Sequence, residues 1–312
     1  MAEGDGGFAR GPDDDLVATF QIEGEPVRGR IVRLGPDTIE AILQRHPAPA
    51  PVQALVGEAL AIAALVGASL KFDGRLIMQT TSHGAAPLLV AEFSTKGHLR
   101  AYVRIEEERL AAQLTTEGPH PSGMDILGEG VFAITLDQGP DMERYQGITP
   151  LEGESLSICA ERYFATSEQV PTKIKVAVGI ASDADGRERW RAGGVLVQRI
   201  AGDSARGDAD DAFDRASAHV ATLQDEELLD PALGAPQVLY RLFHEDGVRM
   251  APALALVDAC HCTAERLGAI LRQFGEEDLR DMLEPDGRYH AKCEFCGRRY
   301  ALAPQEVTTG AA

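Results

Sequence analysis

The chain has no G-x-x-x-x-G-K-[ST] motif and no G-x-G-x-x-G after a strand-like run, so it carries no ready cradle for a nucleotide phosphate. It also lacks the H-E-x-x-H pair of helix-borne zinc proteases, and it has no internal repeat. These absences argue against nucleotide-dependent and metalloprotease chemistry. The first residues, Met1 to Asp15, are glycine-rich and acidic, without the basic and apolar regions of a signal peptide. With no export signal, the expected compartment is the cytoplasm, which is reducing. Positive charge is scarce: 30 Lys and Arg stand against 49 Asp and Glu, for a net charge of −19. That balance argues against a broad nucleic-acid surface and against docking on anionic lipid. Aromatic residues make up only 5% of the chain, and none interleave with basic residues as a base-stacking platform. The longest apolar run, Ala54 to Leu70, is interrupted by Glu58 and is short for a membrane span, so it reads as a buried helix.

Apolar content is ordinary for a globular protein, and 312 residues suffice for one large domain plus a small one. Residues 1–15 read as a disordered leader. Leu16 to Arg33 alternates weakly, as one or two strands. Asp37-Thr38-Ile39-Glu40 marks a helix start, and Val52 to Ser69 forms an alanine-rich helix apolar on most sides. Strand-like runs follow at 76–80, 88–93, 100–105 and 131–136, separated by Gly, Asp or Pro. Glu152 to Thr166 reads as a helix, and Ile174 to Ile180 and Gly194 to Ile200 as two strands. Composition then shifts at Ala201. From Asp203 to Asp230 acids dominate, and Phe213, Ala216, Val220 and Leu223 fall on one helical face. Two further short helices, broken at Pro231 and Pro236, continue to Phe243. The fold class expected is α+β: a mixed N-terminal domain over 16–202 with antiparallel-rich sheets packed on helices, a helical linker over 203–257, and a small C-terminal metal-binding domain over 258–312.

Four of the five cysteines lie in that last segment. Cys260-His261-Cys262 is followed about thirty residues later by Cys293-Glu294-Phe295-Cys296. Clustered thiols in a reducing compartment point to metal or redox chemistry more than to structural disulfides. Two tight pairs supply four thiolates to one tetrahedral zinc ion, with Gly297 placed for a turn of positive φ. A helix over Glu276 to Leu283 and apolar Leu267, Ile270, Leu271, Phe274, Leu279, Met282 and Leu283 form a mini-core too small to hold itself without the metal. The spacing alone leaves a static structural zinc knuckle, a redox switch and an iron–sulfur site open. The C-x-C half favours a switch, because either close pair could form a disulfide within itself and expel the metal. His261 and His290 neighbour the ligands, but four sulfurs already fill a tetrahedron. Cys159 lies in an apolar helical pattern, as an inert core thiol. Two rivals remain. Lys292, Arg298 and Arg299 suit a nucleic-acid-binding zinc ribbon, against the acidic whole. A thiol oxidoreductase would need one C-x-x-C at a helix N-terminus in a thioredoxin-like unit.

The two cysteine pairs, their separation and the ending Cys293-Glu-Phe-Cys-Gly-Arg-Arg-Tyr300 resemble the redox-regulated 33-kDa heat-shock chaperone family. So do Leu70-Lys-Phe-Asp-Gly74, Glu143-Arg-Tyr-Gln-Gly147, Leu151-Glu-Gly153, Tyr163-Phe164 with Ser167-Glu-Gln-Val-Pro-Thr172, Ala192-Gly-Gly194 and Leu239-Tyr-Arg-Leu-Phe-His-Glu245. These run in the family's order over most of the chain from about residue 16. The resemblance implies an ATP-independent holdase. It implies one Zn2+ per chain on Cys260, Cys262, Cys293 and Cys296 in a reduced, inactive form. On oxidation it implies disulfides Cys260–Cys262 and Cys293–Cys296, zinc release, unfolding of the C-terminal segment and destabilisation of the linker. The expected partners are unfolded client proteins and, in the oxidised form, a second copy of the chain, with no nucleic acid and no membrane. Phe213, Leu223, Leu228, Leu229, Leu239 and Leu242 are the candidate client-binding residues; the competing reading makes each of them simply core.

Overall fold

One helix without a polar face organises the larger part of the molecule. In a computed structural model, which describes residues 14–116, 121–139, 142–200 and 208–308, the chain divides into the units Met1–Asp258 and Ala259–Ala312. The first unit begins with strands β1 (Leu16–Ile22) and β2 (Val27–Leu34), then helices α1 (Pro36–Leu43) and α2 (Ala50–Gly67). Strands β3 (Arg75–Ser82), β4 (Leu88–Ser94) and β5 (His98–Arg104) follow, then α3 (Glu107–Thr116), α4 (Gly123–Leu127), β6 (Gly130–Asp137) and β7 (Tyr145–Pro150). Helix α5 (Leu156–Tyr163) widens into a π-helical turn, Phe164–Glu168, before β8 (Thr172–Ser182) and β9 (Glu188–Arg199). Three helices, α6 (Ala209–Thr222), α7 (Asp225–Leu229) and α8 (Ala235–Phe243), lead to the short strands β10 (Val248–Met250), β11 (Leu254–Ala255) and β12 (Val257–Asp258).

These strands form two sheets. The first has the order β10-β1-β2-β9-β8, with β11 also on β1; the second runs β12-β5-β4-β3-β6-β7. Every pairing is antiparallel except β12 on β5. Helix α2 packs against strands of both sheets, and Ala59 to Leu65 along it are fully buried. Its one charge, Glu58, accepts hydrogen bonds from the backbone N (3.0 Å) and Oγ (2.9 Å) of Ser157 at the start of α5. Burial pushes the Glu58 carboxyl up, and the Ser157 bonds pull it partly back. A buried acid is tolerated in an apolar helix because these donors replace its lost water.

The other face of the first sheet is covered by α6–α8. Phe20, Ile31, Val195 and Val197 of the sheet share an apolar cluster with Val220, Leu228, Leu239 and Phe243 of the helices. Helix α7 sits so close that a Cβ on Gly193 would lie 2.3 Å from the Leu228 carbonyl. Arg33 donates to the carbonyls of Leu228 (3.3 Å) and Asp230 (2.7 Å), which closes the C-terminal end of α7.

Several sequence expectations change. Asp14 and Asp15, read as leader, belong to the fold: Asp14 pairs with Arg191 at 2.6 Å, and Asp15 Oδ1 accepts from Gly35 N at 3.0 Å. Helix α1 starts at Pro36 with Gly35 as N-cap, not at an Asp37 cap; proline in a first helical turn needs no hydrogen-bond donor. Pro236 likewise lies in the first turn of α8 and starts that helix instead of breaking it. The helix expected from Glu152 starts at Leu156, where Ser155 accepts from Ile158 N. The last part of the expected helical linker is extended instead: β10 and β11 add to the first sheet and β12 to the second. The shift at Ala201 and the linker start at Asp203 lie outside the described residues, as does most of 1–15.

In the second unit, α9 (Ala264–Leu271) and α10 (Glu276–Asp281) precede a two-stranded hairpin, β13 (Tyr289–Lys292) and β14 (Arg299–Leu302), and a terminal turn of helix, α11 (Pro304–Thr308). Its buried apolar side chains are Tyr289, Leu302 and Val307, with Ala264, Leu267, Leu271 and Leu279 packed on them. Ile270, Phe274, Met282 and Leu283, expected in this mini-core, are exposed. The cluster instead draws Tyr289 and Leu302 from the hairpin, whose strands the sequence reading does not include.

Candidate metal centre

Each cysteine pair is presented by a tight local structure. Thr263 directly follows the first pair and caps α9, its Oγ1 accepting from Arg266 N at 3.2 Å; the Arg266 side chain reaches back to the His261 carbonyl at 3.0 Å. The cap fixes where the helix begins, and with it the loop that carries Cys260 and Cys262. The second pair occupies the turn between β13 and β14. Cys293 N donates to Arg298 O, and Gly297 N to Cys293 O, both at 2.8 Å. Gly297 has φ +71°, the left-handed conformation expected of a glycine there.

The two loops bring all four sulfurs within 4.8 Å of one another. Cys260 Sγ lies 3.7 Å from Cys293 Sγ, and Cys262 Sγ 3.3 Å from Cys296 Sγ. A disulfide would need about 2.05 Å, and all five cysteines are free thiols. A tetrahedron with zinc–sulfur bonds of about 2.3 Å has sulfur–sulfur edges of about 3.8 Å. These two contacts fall about 0.1 and 0.5 Å short of that edge, so the donor set fits a tetrahedral thiophilic cation with only a small outward movement of the sulfurs.

The electrostatics lead to the same chemistry. Burial pushes the Cys262 thiol up, but hydrogen bonds from Tyr300 and from the thiols of Cys296, Cys260 and Cys293 outweigh it and bring it down to about 7. Cys296 is pushed up to about 12, by burial and then by its neighbouring cysteines; Cys293 is raised for the same reasons. The first thiolate therefore forms readily, and further ones repel it at these distances. Ionising all four requires a cation among them.

Tyr300 was quoted in the sequence motif without a role. Its hydroxyl lies 2.9 Å from the Cys262 carbonyl and 3.2 Å from Cys262 Sγ. The sequence signal that could have found it is a tyrosine four residues beyond the last cysteine, on the strand leaving the turn. His290 is turned to Asp286, Nε2 to Oδ2 at 2.8 Å. Among the described residues, the metal-competent cluster consists of the four cysteines alone. Cys159 is fully buried in the first unit, its Sγ 3.5 Å from the Glu152 carbonyl, and burial raises its thiol.

The structure does not gather the candidate client-binding residues into an open surface. Leu223, Leu228, Leu239 and Leu242 are buried, and Phe213 and Leu229 are partly buried against them, all beneath α6–α8. Tyr240 on the outer side of α8 is 65% exposed.

Comparison with known proteins places this architecture. The family model described as Hsp33 protein matches residues 15–303. The 33 kDa chaperonin of Caulobacter vibrioides (strain NA1000 / CB15N) is 50% identical over 292 residues, 93% of this chain and 95% of the relative. That of Pseudomonas fluorescens (strain SBW25) is 36% identical over 299 residues, 95% of this chain and 93% of the relative. Among solved structures, the crystal structure of the 33 kDa chaperonin from Thermotoga maritima has the same fold, with a TM-score of 0.74 at 24% identity over 94% of this chain and 97% of that one. With a family model covering nearly its whole length and relatives of matching extent, the chain belongs to the Hsp33 family.

Proposed function

We propose that this protein is a redox-regulated, ATP-independent holdase of the bacterial cytoplasm, switched by Cys260, Cys262, Cys293 and Cys296. The observation that carries the reading is the convergence of two separate thiol pairs on one four-sulfur cluster in a chain of the Hsp33 family. The four thiolates hold one Zn2+ in the reduced, inactive state. A bound zinc ion would supply the folding free energy that three buried apolar side chains do not.

Oxidation joins Cys260 to Cys262 and Cys293 to Cys296. In each pair a thiolate attacks peroxide, the O–O bond breaks and hydroxide leaves. The neighbouring thiolate then displaces hydroxide from the resulting sulfenic sulfur, so two electrons pass from two thiolates to one peroxide. With its ligands consumed, segment 258–312 unfolds, the linker 203–257 loses its hold on the core 16–202, and α6–α8 leave the sheet. Phe213, Leu223, Leu228, Leu229, Leu239 and Leu242 then meet unfolded clients. Their burial here accords with an inactive state. The oxidised form acts as a homodimer. The acidic linker keeps the opened form soluble.

The test is zinc content together with aggregation of a thermally unfolding client, before and after peroxide. The expected result is one zinc per reduced chain, zinc loss on oxidation, and suppression of aggregation only by the oxidised protein. Absence of suppression by oxidised, zinc-free protein sinks the reading. Salt-dependent nucleic-acid binding by the reduced form would favour a zinc ribbon instead.

A further inference from the structure

Tyr300 reaches from the hairpin of the second cysteine pair to the loop of the first. It stands on β14 opposite Ala291 of β13, on the strand that leaves the turn carrying Cys293 and Cys296. Its hydroxyl meets Cys262 at both the carbonyl, 2.9 Å, and the sulfur, 3.2 Å, across 38 residues of sequence. A metal-bound or ionised sulfur carries no proton, so in that state the phenol is the donor and Cys262 Sγ accepts. The same hydroxyl holds the Cys262 carbonyl, and thereby the backbone of the C-x-C loop. One side chain thus ties the two cysteine loops together independently of any ion.

We infer that Tyr300 is a positioning residue for the thiol switch: it holds Cys262 at the cluster and makes that sulfur a poorer nucleophile, so that it sets how readily oxidant opens the site. The inference rests on the zinc-and-redox reading above. In the metal-bound cluster, where all four sulfurs are already thiolates and the ease of ionising Cys262 no longer matters, two physical effects act in the same direction. A donor bound to a thiolate draws charge from the sulfur and slows its attack on the peroxide oxygen, the step that breaks the O–O bond and releases hydroxide. A hydrogen bond that fixes a ligand loop keeps the ligand in place, and loss of such supporting contacts costs metal affinity. With the phenol in place, the first sulfenic acid of the C-x-C pair forms on Cys260, and the Cys262 thiolate closes the disulfide by displacing hydroxide. Without it, Cys262 competes for the first step and the loop holds its ion less firmly.

The experiment compares full-length, zinc-loaded wild type with Tyr300→Phe, which keeps the ring and removes only the hydroxyl. Tyr289→Phe serves as control, since Tyr289 belongs to the same hairpin but packs in the apolar cluster with Leu302 and Val307. Zinc released by peroxide is followed with a colorimetric chelator, zinc affinity is measured by competition, and early sulfenic acid is trapped with dimedone and located by mass spectrometry. Tyr300→Phe is expected to release zinc several-fold faster and to bind it roughly tenfold more weakly. Dimedone label should move from Cys260 toward Cys262, and Tyr289→Phe should behave as wild type. A purely structural role for the ring would leave the position of the label unchanged. Equal release rates, affinities and labelling in wild type and Tyr300→Phe overturn the inference while the parent reading stands. Preferential labelling of Cys262 in the wild type overturns it even if the variant does not fold. Wild type that binds no zinc, or keeps it in peroxide, defeats the parent reading and this inference together.

Discussion

The unit Met1–Asp258 buries apolar side chains in two large clusters, one around α2 between the sheets and one beneath α6–α8. Among its described residues, the unit Ala259–Ala312 has one small apolar cluster, Tyr289, Leu302 and Val307, and leaves Ile270, Phe274, Met282 and Leu283 on its surface. Both carry capped helices and paired antiparallel strands. They differ in what holds that structure. The first unit removes enough apolar area from water to offset its chain entropy. The second has about fifty residues, a size at which a core of three side chains does not. On the proposed reading, its stability comes from the four sulfurs and the ion they would bind. If that reading holds, oxidants should act on the second unit and leave the first in place.

The largest expected effect follows from removing the cation. A strong chelator should abolish amide protection over 259–308 while α2 and both sheets stay protected, because a tetrathiolate zinc site contributes roughly 10–16 kcal/mol to the unit it folds. Hydrogen exchange with mass spectrometry reads this directly. Retained protection in the second unit after complete zinc removal would erase the contrast between the two units.

The next test concerns α6–α8, which belong to the first unit by burial but to the switch by proposed role. Leu239 is 1% exposed in the cluster against the first sheet. Leu239→Ala should cost about 2–5 kcal/mol of packing. If the helices form a separable layer, the loss appears as faster exchange over 209–243 with α2 unchanged. Equal loss in α2 would make these helices an inseparable part of the core, and release on oxidation would then require the whole unit to open.

Much of this contrast is legible in the amino-acid order, for reasons that also explain what is not. The strands around Leu76, Leu88, Arg100 and Val131 are visible because apolar runs of strand length are bounded by turn residues, and α2 because few other segments are apolar on all sides. The metal cluster is visible because cysteine is rare and its spacing is specific. The strands β13 and β14, with sequences YHAK and RYAL, are short and mixed, and they pair because the cysteine turn joins them. The role of Tyr300, though the residue ends the cysteine motif, is not legible because a hydroxyl-to-sulfur contact depends on that hairpin's register. Strand β7, YQGITP, lacks an apolar run and forms by pairing with β6. The strands β10–β12 carry two or three residues each, below the length at which alternation is recognisable.

The beginning of the fold offers the smallest and sharpest test, because two adjacent acids there have opposite surroundings. Asp14 faces the guanidinium groups of Arg33 (3.5 Å) and Arg191 (2.6 Å). Asp15 is 5% exposed, and burial pushes its carboxyl up to about 6; hydrogen bonds from Thr38 and Gly35 pull it down, and the charges of Asp14 and Asp37 push it up. The native state therefore binds this proton more tightly than the unfolded chain does. The contribution is fully present below about pH 4 and is lost as pH rises through about 6. A shift of about two pKa units corresponds to roughly 3 kcal/mol withheld from the first unit at neutral pH. Asp15→Asn keeps an oxygen for Gly35 N and removes the charge. At pH 7 its thermal midpoint should lie several degrees above wild type, at about 2–4 °C per kcal/mol for a unit of this size, and the gap should close near pH 4. A gap independent of pH would assign the effect to packing. The second unit should be indifferent to this substitution at every pH, because on the proposed reading its stability is set by its cysteines and not by a carboxyl buried at the start of the other fold.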